Sequence, residues 1–282
     1  MGFVALFLIV VAALRVTDRH QPKRARLFTL ALLSLGAGYL CADTRVGDDH
    51  IDPFCAAIGL GQNASELLHG VFLAVACWLL GLMWLLPLAQ RPRLRSRYSS
   101  RYRWILYRRD WTAFSLTVAT VSVVAHRMSG APSRPVGNML ELRSPWGAAY
   151  IVAVMVHVIV SALIVLAGSS VVARRSGQRG TVLSMVAFVV LGLAVLAYIA
   201  GLVNWLVMAP DPHRADVVRQ SVAGVVLVML GLLGLAGPWE SWWQSRRGRA
   251  IENRSAASDS GPDLSGPSSV DLRWIRVLGW LG

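Results

Sequence analysis

Four polar side chains inside or beside the apolar stretches of this sequence could do binding chemistry. Glu66 and His69 are three residues apart, a spacing that places both on one face of a helix. His157 lies in the middle of a long apolar stretch, and Asn204 lies in a later one. Polar groups are costly in hydrocarbon, so each is a candidate functional residue. The hypothesis is a solute site in which Glu66 and His69 face His157 and Asn204, with Glu66 and His157 exchanging protons as solute binds.

A structural role competes with the functional one at each position. Asn63 and Glu66 could cap the start of a helix and remain in water, where a carboxylate also favours the helix dipole. A neutral His157 could simply pack, with Asn204 or Tyr198 of the next predicted helix or Ser161 of its own helix as a hydrogen-bond partner. Both alternatives stay open on the sequence alone.

The sequence contains no complete motif for the common kinds of enzymatic or metal-binding chemistry. One Glu-x-x-His pair is half of a bundle di-iron site, and no second copy occurs. Cys41, Cys55 and Cys77 have no metal-ligand spacing, although Cys41 and Cys55 could form a disulfide. Phosphate-binding loops and nucleophile elbows are also missing from the sequence. We therefore expect a protein that is not an enzyme and that needs no metal or cofactor.

The elements that must position these residues are membrane-spanning helices. Of the 282 residues, 55% are hydrophobic, and the mean hydropathy is +0.53. The apolar residues form long runs, and spanning a bilayer takes about 20 apolar residues as a helix. The pattern predicts an all-α, polytopic bundle of about seven transmembrane helices. The predicted spans are Gly2–Leu14, Leu27–Ala42, Glu66–Ala89, Trp111–Ala125, Trp146–Ala173, Val182–Met208 and Ser221–Pro238.

The charges predict the orientation of the bundle. Of the 28 Lys and Arg residues, 22 lie in the connections 15–26, 90–109 and 174–179 or in the tail after residue 240. Cytoplasmic connections carry the excess of basic residues, so the amino terminus is predicted outside and the carboxyl terminus in the cytoplasm. The same rule explains the net charge of +13 without nucleic-acid binding.

The sequence divides into two predicted regions. Residues 1–245 form the transmembrane domain, and residues 246–282 form a cytoplasmic tail, largely disordered, with a short amphipathic segment at 270–281. At the predicted membrane interfaces, Trp111, Trp146 and Trp239 are expected to be anchors, and His126 and Arg127 are expected to snorkel towards water.

The chain resembles a family of actinobacterial seven-helix membrane proteins described as transporters. The resemblance covers most of residues 1–245. It rests on the short first helix, the Asn-Ala-Ser-Glu-Leu-Leu-His opening at 63–69, the Arg-rich connection that follows the third helix and the Trp-containing exit from the last helix. Seven helices with an outer amino terminus are also similar to the sensor modules of bacterial kinases.

The resemblance and the pattern together imply a multi-pass protein of a bacterial plasma membrane. We expect a transporter or permease for a small solute. The alternative is a non-enzymatic sensor or interaction protein that signals to a cytosolic protein through the Arg-rich connection 90–109. The expected partners are the lipid bilayer, a small-molecule solute and that cytosolic protein.

Overall fold

The computed structural model describes residues 2–17, 23–89, 100–133, 144–176, 223–232 and 234–235. Every regular element in these ranges is helical, which confirms the all-α class for them. Residues 223–232 and 234–235, the final helical segment, are also helical. The other bounds are α1 Gly2–Val16, α2 Lys23–Cys41, α3 Thr44–Val46, a π-helical turn Gly47–Ile51, α4 Asp52–Ala57, α5 Ala64–Ala89, α6 Ser100–Met128, a 3₁₀ turn Ala131–Ser133 and α7 Pro145–Ser176.

Two of these helices are long and apolar enough to cross a membrane. The qualifying stretches are Ala64–Leu85 of α5 and Pro145–Gly168 of α7. Shorter apolar helices occur at Gly2–Val16, Ala25–Cys41 and Ala223–Leu232.

Four predicted features lie outside the described residues: the span Val182–Met208, which includes Asn204, the anchor Trp239, the tail 246–282 and residues 90–99 of the connection 90–109. Helix α6 begins eleven residues before the predicted start at Trp111. Its first turns are rich in Arg and Tyr, which hydropathy does not mark but a helix readily accepts.

The described helices form a bundle around α5, which packs against α2, α6 and α7. The final helical segment packs against α1 and α2. The core at that junction is built from small and branched apolar side chains, namely Leu8, Val11, Ala12, Leu32, Leu35, Ala76, Leu227 and Leu230.

Two glycines of α5 allow neighbouring aromatic rings to approach its backbone. A Cβ atom on Gly70 would overlap with the Tyr150 hydroxyl, and one on Gly81 would overlap with the Trp111 indole. Because these positions carry no side chain, α6 and α7 can pack closely against α5.

Residues 42–63, called here the cap segment, close one end of the bundle, called the cap end. The sequence predicted an outer loop here, but α3, the π-helical turn and α4 follow one another with almost no irregular chain. Cys41 and Cys55 are both buried free thiols, so no disulfide joins them.

Candidate functional site

His157 lies near the middle of α7 and is buried, at 1% exposure. Its Nε2 and the Ser115 Oγ of α6 are hydrogen-bonded at 3.1 Å. The sequence suggested Asn204, Tyr198 or Ser161 as its partner. Ser161 instead donates its hydroxyl to the Cys77 carbonyl of α5 at 3.1 Å. Tyr198 and Asn204 lie outside the described residues.

Two aromatic rings of α6 enclose the imidazole. The ring centres of Trp111 and Phe114 lie 5.4 and 5.8 Å from that of His157, both edge to face. Edge-to-face packing is the favoured arrangement of such rings. Among the described residues, Trp111 and Phe114 therefore make the sides of the site apolar, and Ser115 supplies its polar contact.

The other nitrogen of His157 has no partner among the described residues, although it is fully buried. A buried polar group without a hydrogen bond costs about 1–3 kcal/mol, so such a group calls for an explanation. Nδ1 of His157 is thus the one atom of this ring that a bound molecule could satisfy.

Two further hydrogen bonds join α5 and α6 at the same depth. Trp111 donates its indole N–H to the Trp78 carbonyl at 2.9 Å, and Trp78 donates to the Thr112 hydroxyl at 3.1 Å. Trp111 is buried here, so its predicted role as an interfacial anchor is wrong. We call the set Trp78, Trp111, Ser115, His157 and Ser161 the mid-bundle layer.

A second group of buried polar side chains lies at the cap end. His126 is 2% exposed, and its Nε2 is hydrogen-bonded to the Asn63 carbonyl at 3.0 Å. Asn63 is also buried and donates its side-chain amide to the Ala131 carbonyl at 2.7 Å. The prediction that His126 snorkels towards water is therefore wrong, and so is the prediction that Asn63 remains in water.

Tyr150 of α7 completes this group. Its hydroxyl donates to the Glu66 carbonyl at 2.7 Å, and its ring lies edge to face with that of His126, with centres 5.8 Å apart. We call Asn63, His126, Ala131 and Tyr150 the cap-end cluster.

The start of α5 is capped by a residue distant in sequence. Asp52 of α4 accepts the Ser65 N–H at 2.7 Å, in place of the expected cap from Asn63. Asn63 has a φ of 55°, and this left-handed backbone differs from the extended conformation that an N-cap residue adopts. An acidic side chain nevertheless supplies the cap, as the helix dipole favours.

The exposed acidic turn before α4 lies outside the apolar helices. Partial burial raises the pKa of Asp48, and the neighbouring carboxylates of Asp52 and Asp49 raise it further. Among the described residues, no group of three or more His, Cys, Asp or Glu side chains is placed to hold a metal ion.

Glu66 and His69 contact different helices. The His69 ring contacts α2, whereas the Glu66 backbone carbonyl contacts α7. The Nδ1 of His69 is hydrogen-bonded to the Gly38 carbonyl at 3.0 Å, and its ring lies edge to face with Tyr39. Tyr150, which contacts the Glu66 carbonyl, precedes His157 by two turns of α7, a rise of about 10 Å. The predicted site residues thus have different partners, and no sequence pattern points to Ser115 or Tyr150.

Arg15 is a further buried polar residue, at the end of the bundle opposite the cap segment. Its Nε donates to the Thr29 hydroxyl at 3.1 Å, and its Nη1 donates to the Gly234 carbonyl at 2.6 Å. Its guanidinium also lies over the Phe28 ring, 5.4 Å from the ring centre. These hydrogen bonds tie the final helical segment to α1 and α2. As a cation at the carboxyl end of α1, Arg15 also complements the helix dipole.

Comparisons with known proteins give no relative for this chain. No family model matches it, and neither a curated protein nor a solved structure is significantly similar to it.

Proposed function

We propose that the protein is a multi-pass protein of a bacterial plasma membrane, with about seven spans and its amino terminus outside. The exposed side chains support this placement. On α1, Phe3, Leu6, Val10 and Leu14 are exposed at helical spacing, and such an apolar outer face suits lipid rather than water. The excess of Arg in alternate connections supports the orientation. This is also the setting of the transporter family that the sequence resembles.

Within this bundle we propose a permease-like function, with no enzymatic activity, for a small solute that binds beside His157. The single observation that carries the proposal is the buried Nδ1 of His157 without a hydrogen-bond partner among the described residues. An ionisable side chain at mid-membrane depth that packs inside a bundle is a functional candidate. The enclosing rings of Trp111 and Phe114 favour a small solute with an apolar body and one polar group.

Glu66 and His69 take a second place in this proposal. Both lie in the first turns of α5 at the cap end, which is the outer end in the proposed orientation. They would meet the solute before it reaches His157. Direct proton exchange between Glu66 and His157 would need a relay, because two turns of α7 separate their levels.

The test is thermal unfolding of the purified protein against a panel of solutes and cations, followed by flux of any hit into proteoliposomes. The matched variants are His157→Leu and Ser122→Ala. Ser122 is buried in the same bundle, but its hydroxyl bonds to the Val118 carbonyl of its own helix. We expect a solute that raises the unfolding temperature of the wild type and Ser122→Ala but not of His157→Leu. An equal rise in all three proteins would refute a site at His157.

A second candidate function is a sensor that signals to a cytosolic protein. Arg15 favours it, because this residue joins the start of the bundle to the segment that leads into the carboxyl-terminal tail. The exposed Arg108 and Arg109 at the start of α6 belong to the connection that would dock the partner. Coprecipitation of a cytosolic protein that is lost in the Arg108→Glu, Arg109→Glu variant, without solute flux in the wild type, would favour sensing over transport.

A further inference from the structure

The cap segment presents an apolar surface that the bundle does not cover. Phe54 is 65% exposed and Ile58 is 57% exposed, and Leu60 beside them is also exposed. These residues follow Asp48, Asp49 and His50, which are exposed and polar. The segment is therefore amphipathic along its length, with a polar first half and an apolar second half.

Backbone hydrogen bonds fix the position of this apolar surface. Cys55 of α4 is buried against the bundle, and its carbonyl accepts the Leu60 N–H at 2.9 Å. The Gln62 N–H donates to the Pro132 carbonyl at 3.0 Å, which ties the end of the cap segment to the turn after α6.

The reversal after α4 depends on two glycines. Gly59 and Gly61 have φ values of 79° and 91°, a backbone region that glycine enters at no steric cost. Because the chain reverses between them, Ile58 and Leu60 remain directed away from the bundle.

We infer that Phe54, Ile58 and Leu60 insert into the outer-leaflet interface of the membrane in which the bundle sits. The inference rests on the membrane placement under the proposed function. Lipid is the occupant because this surface lies at the same end of the bundle as the apolar outer face of α1. The Gly2 N–H donates to Asp43 at the start of the cap segment. That bond places the exposed Phe3, the first residue of the apolar outer face of α1, beside the same end.

The chemistry of the surface also fits a lipid interface. A short amphipathic segment lies in the plane of the interface with its apolar face about 5–10 Å deep in the headgroup and acyl boundary. Trp146, half-exposed at the start of α7, lies at the same end and suits headgroup depth. The surface itself carries no charge that a protein partner would pair with.

Nitroxide labels at Phe54→Cys and Ile58→Cys test the inference in lipid nanodiscs, by collision with oxygen and with a water-soluble nickel complex. The background is Cys41→Ala, Cys55→Ala, Cys77→Ala. If this background fails to fold, the labels are placed in the wild type, whose three thiols are all buried. Asp49→Cys is the matched control in water on the same segment, and Leu116→Cys, exposed on α6, is the control in the acyl region.

We expect the labels at 54 and 58 to lie about 5–10 Å below the headgroup boundary, while the label at 49 collides mainly with nickel. If the labels at 54 and 58 are accessible to nickel while the label at 116 is accessible to oxygen, the inference is overturned and the membrane placement stands. Labels at 54 and 58 accessible to neither reagent would overturn it in favour of a protein partner or a second copy. A nickel-accessible label at 116 would instead refute the membrane placement.

Discussion

The cap end and the middle of the bundle both bury polar side chains, but they pair them differently. In the cap-end cluster, Asn63, His126 and Tyr150 each bond to a backbone carbonyl of another segment. In the mid-bundle layer, Ser115 and His157 bond to each other, within helices whose own backbone groups are already paired.

On the proposed function, this difference separates residues that hold the fold from residues that bind. The Ala131 carbonyl belongs to a turn and accepts from Asn63, and a buried carbonyl without a partner is costly. The Asn63 and Glu66 carbonyls lie at the start of α5, where N–H groups one turn later in the helix also pair them, so the cluster adds a second hydrogen bond there.

Nδ1 of His126, like that of His157, has no partner among the described residues. The Ser115–His157 pair satisfies no backbone group, so its loss leaves no carbonyl unpaired. We therefore expect the cap end to dominate stability and the mid-bundle layer to dominate binding.

The largest effect is expected from Asn63→Ala. The substitution leaves the Ala131 carbonyl unpaired, a loss of about 1–3 kcal/mol in the free energy of unfolding. It also places alanine at a positive φ, which costs about 1 kcal/mol more. Thermal unfolding in detergent measures both, with Asn63→Gly as the control that restores only the backbone freedom. Equal unfolding temperatures for the wild type and Asn63→Ala would contradict a structural role for the cluster.

A smaller loss is expected from Tyr150→Phe. The substitution removes the hydrogen bond to the Glu66 carbonyl and keeps the ring against His126, so the expected loss is about 1 kcal/mol. Chemical unfolding followed by tryptophan fluorescence measures it. A variant as stable as the wild type would mean that the hydrogen bond from Tyr150 to the Glu66 carbonyl does not contribute to stability.

In the mid-bundle layer, Ser115→Ala is expected to cost only about 0.6 kcal/mol, the average for an interhelical hydrogen bond in a membrane protein. Its effect on solute binding is expected to be the larger one, since His157 loses the partner of Nε2. Comparison of solute-induced shifts with those of Ser122→Ala checks this. A loss of stability as large as that of Asn63→Ala would remove the distinction between the two regions.

The smallest effect is expected from the acidic turn of the cap segment. The folded state raises the pKa of Asp48, first by burial and then by Asp52 and Asp49. The protonated form is therefore favoured on folding, and stability falls as the pH rises through this raised pKa. Asp48→Asn is expected to unfold at a slightly higher temperature than the wild type at neutral pH, and at the same temperature in acid. A difference that grows in acid would show the opposite shift.

The sequence predicts the helices better than their polar partners. Apolar length places α5 and α7 within a few residues, because hydrocarbon requires long runs. The start of α6 is missed, because its first turns are helical but polar. Single residues are harder still. Asn63 and His126 are polar residues beside apolar runs, a pattern typical of wet helix ends, yet the helical cap segment and the turn after α6 bury both.

The pairing of Ser115 with His157 has no sequence signal, since it depends on how α6 and α7 are rotated about their axes. The choice of Asp52 as the cap of α5 is equally hidden, because it depends on the fold of the residues between them. Glu66 and His69 share the early turns of α5 as predicted, but their partners belong to different helices.

The contact between α1 and the final helical segment sets the order in which the protein can be assembled. Arg15 and the Gly234 carbonyl are 219 residues apart in sequence, and the apolar core beside them likewise joins Leu8 and Val11 to Leu227 and Leu230. During synthesis, one face of α1 therefore stays incompletely packed until residues 223–235 have been made. A chain that stops before residue 223 leaves that face exposed to whatever quality-control machinery samples unassembled helices.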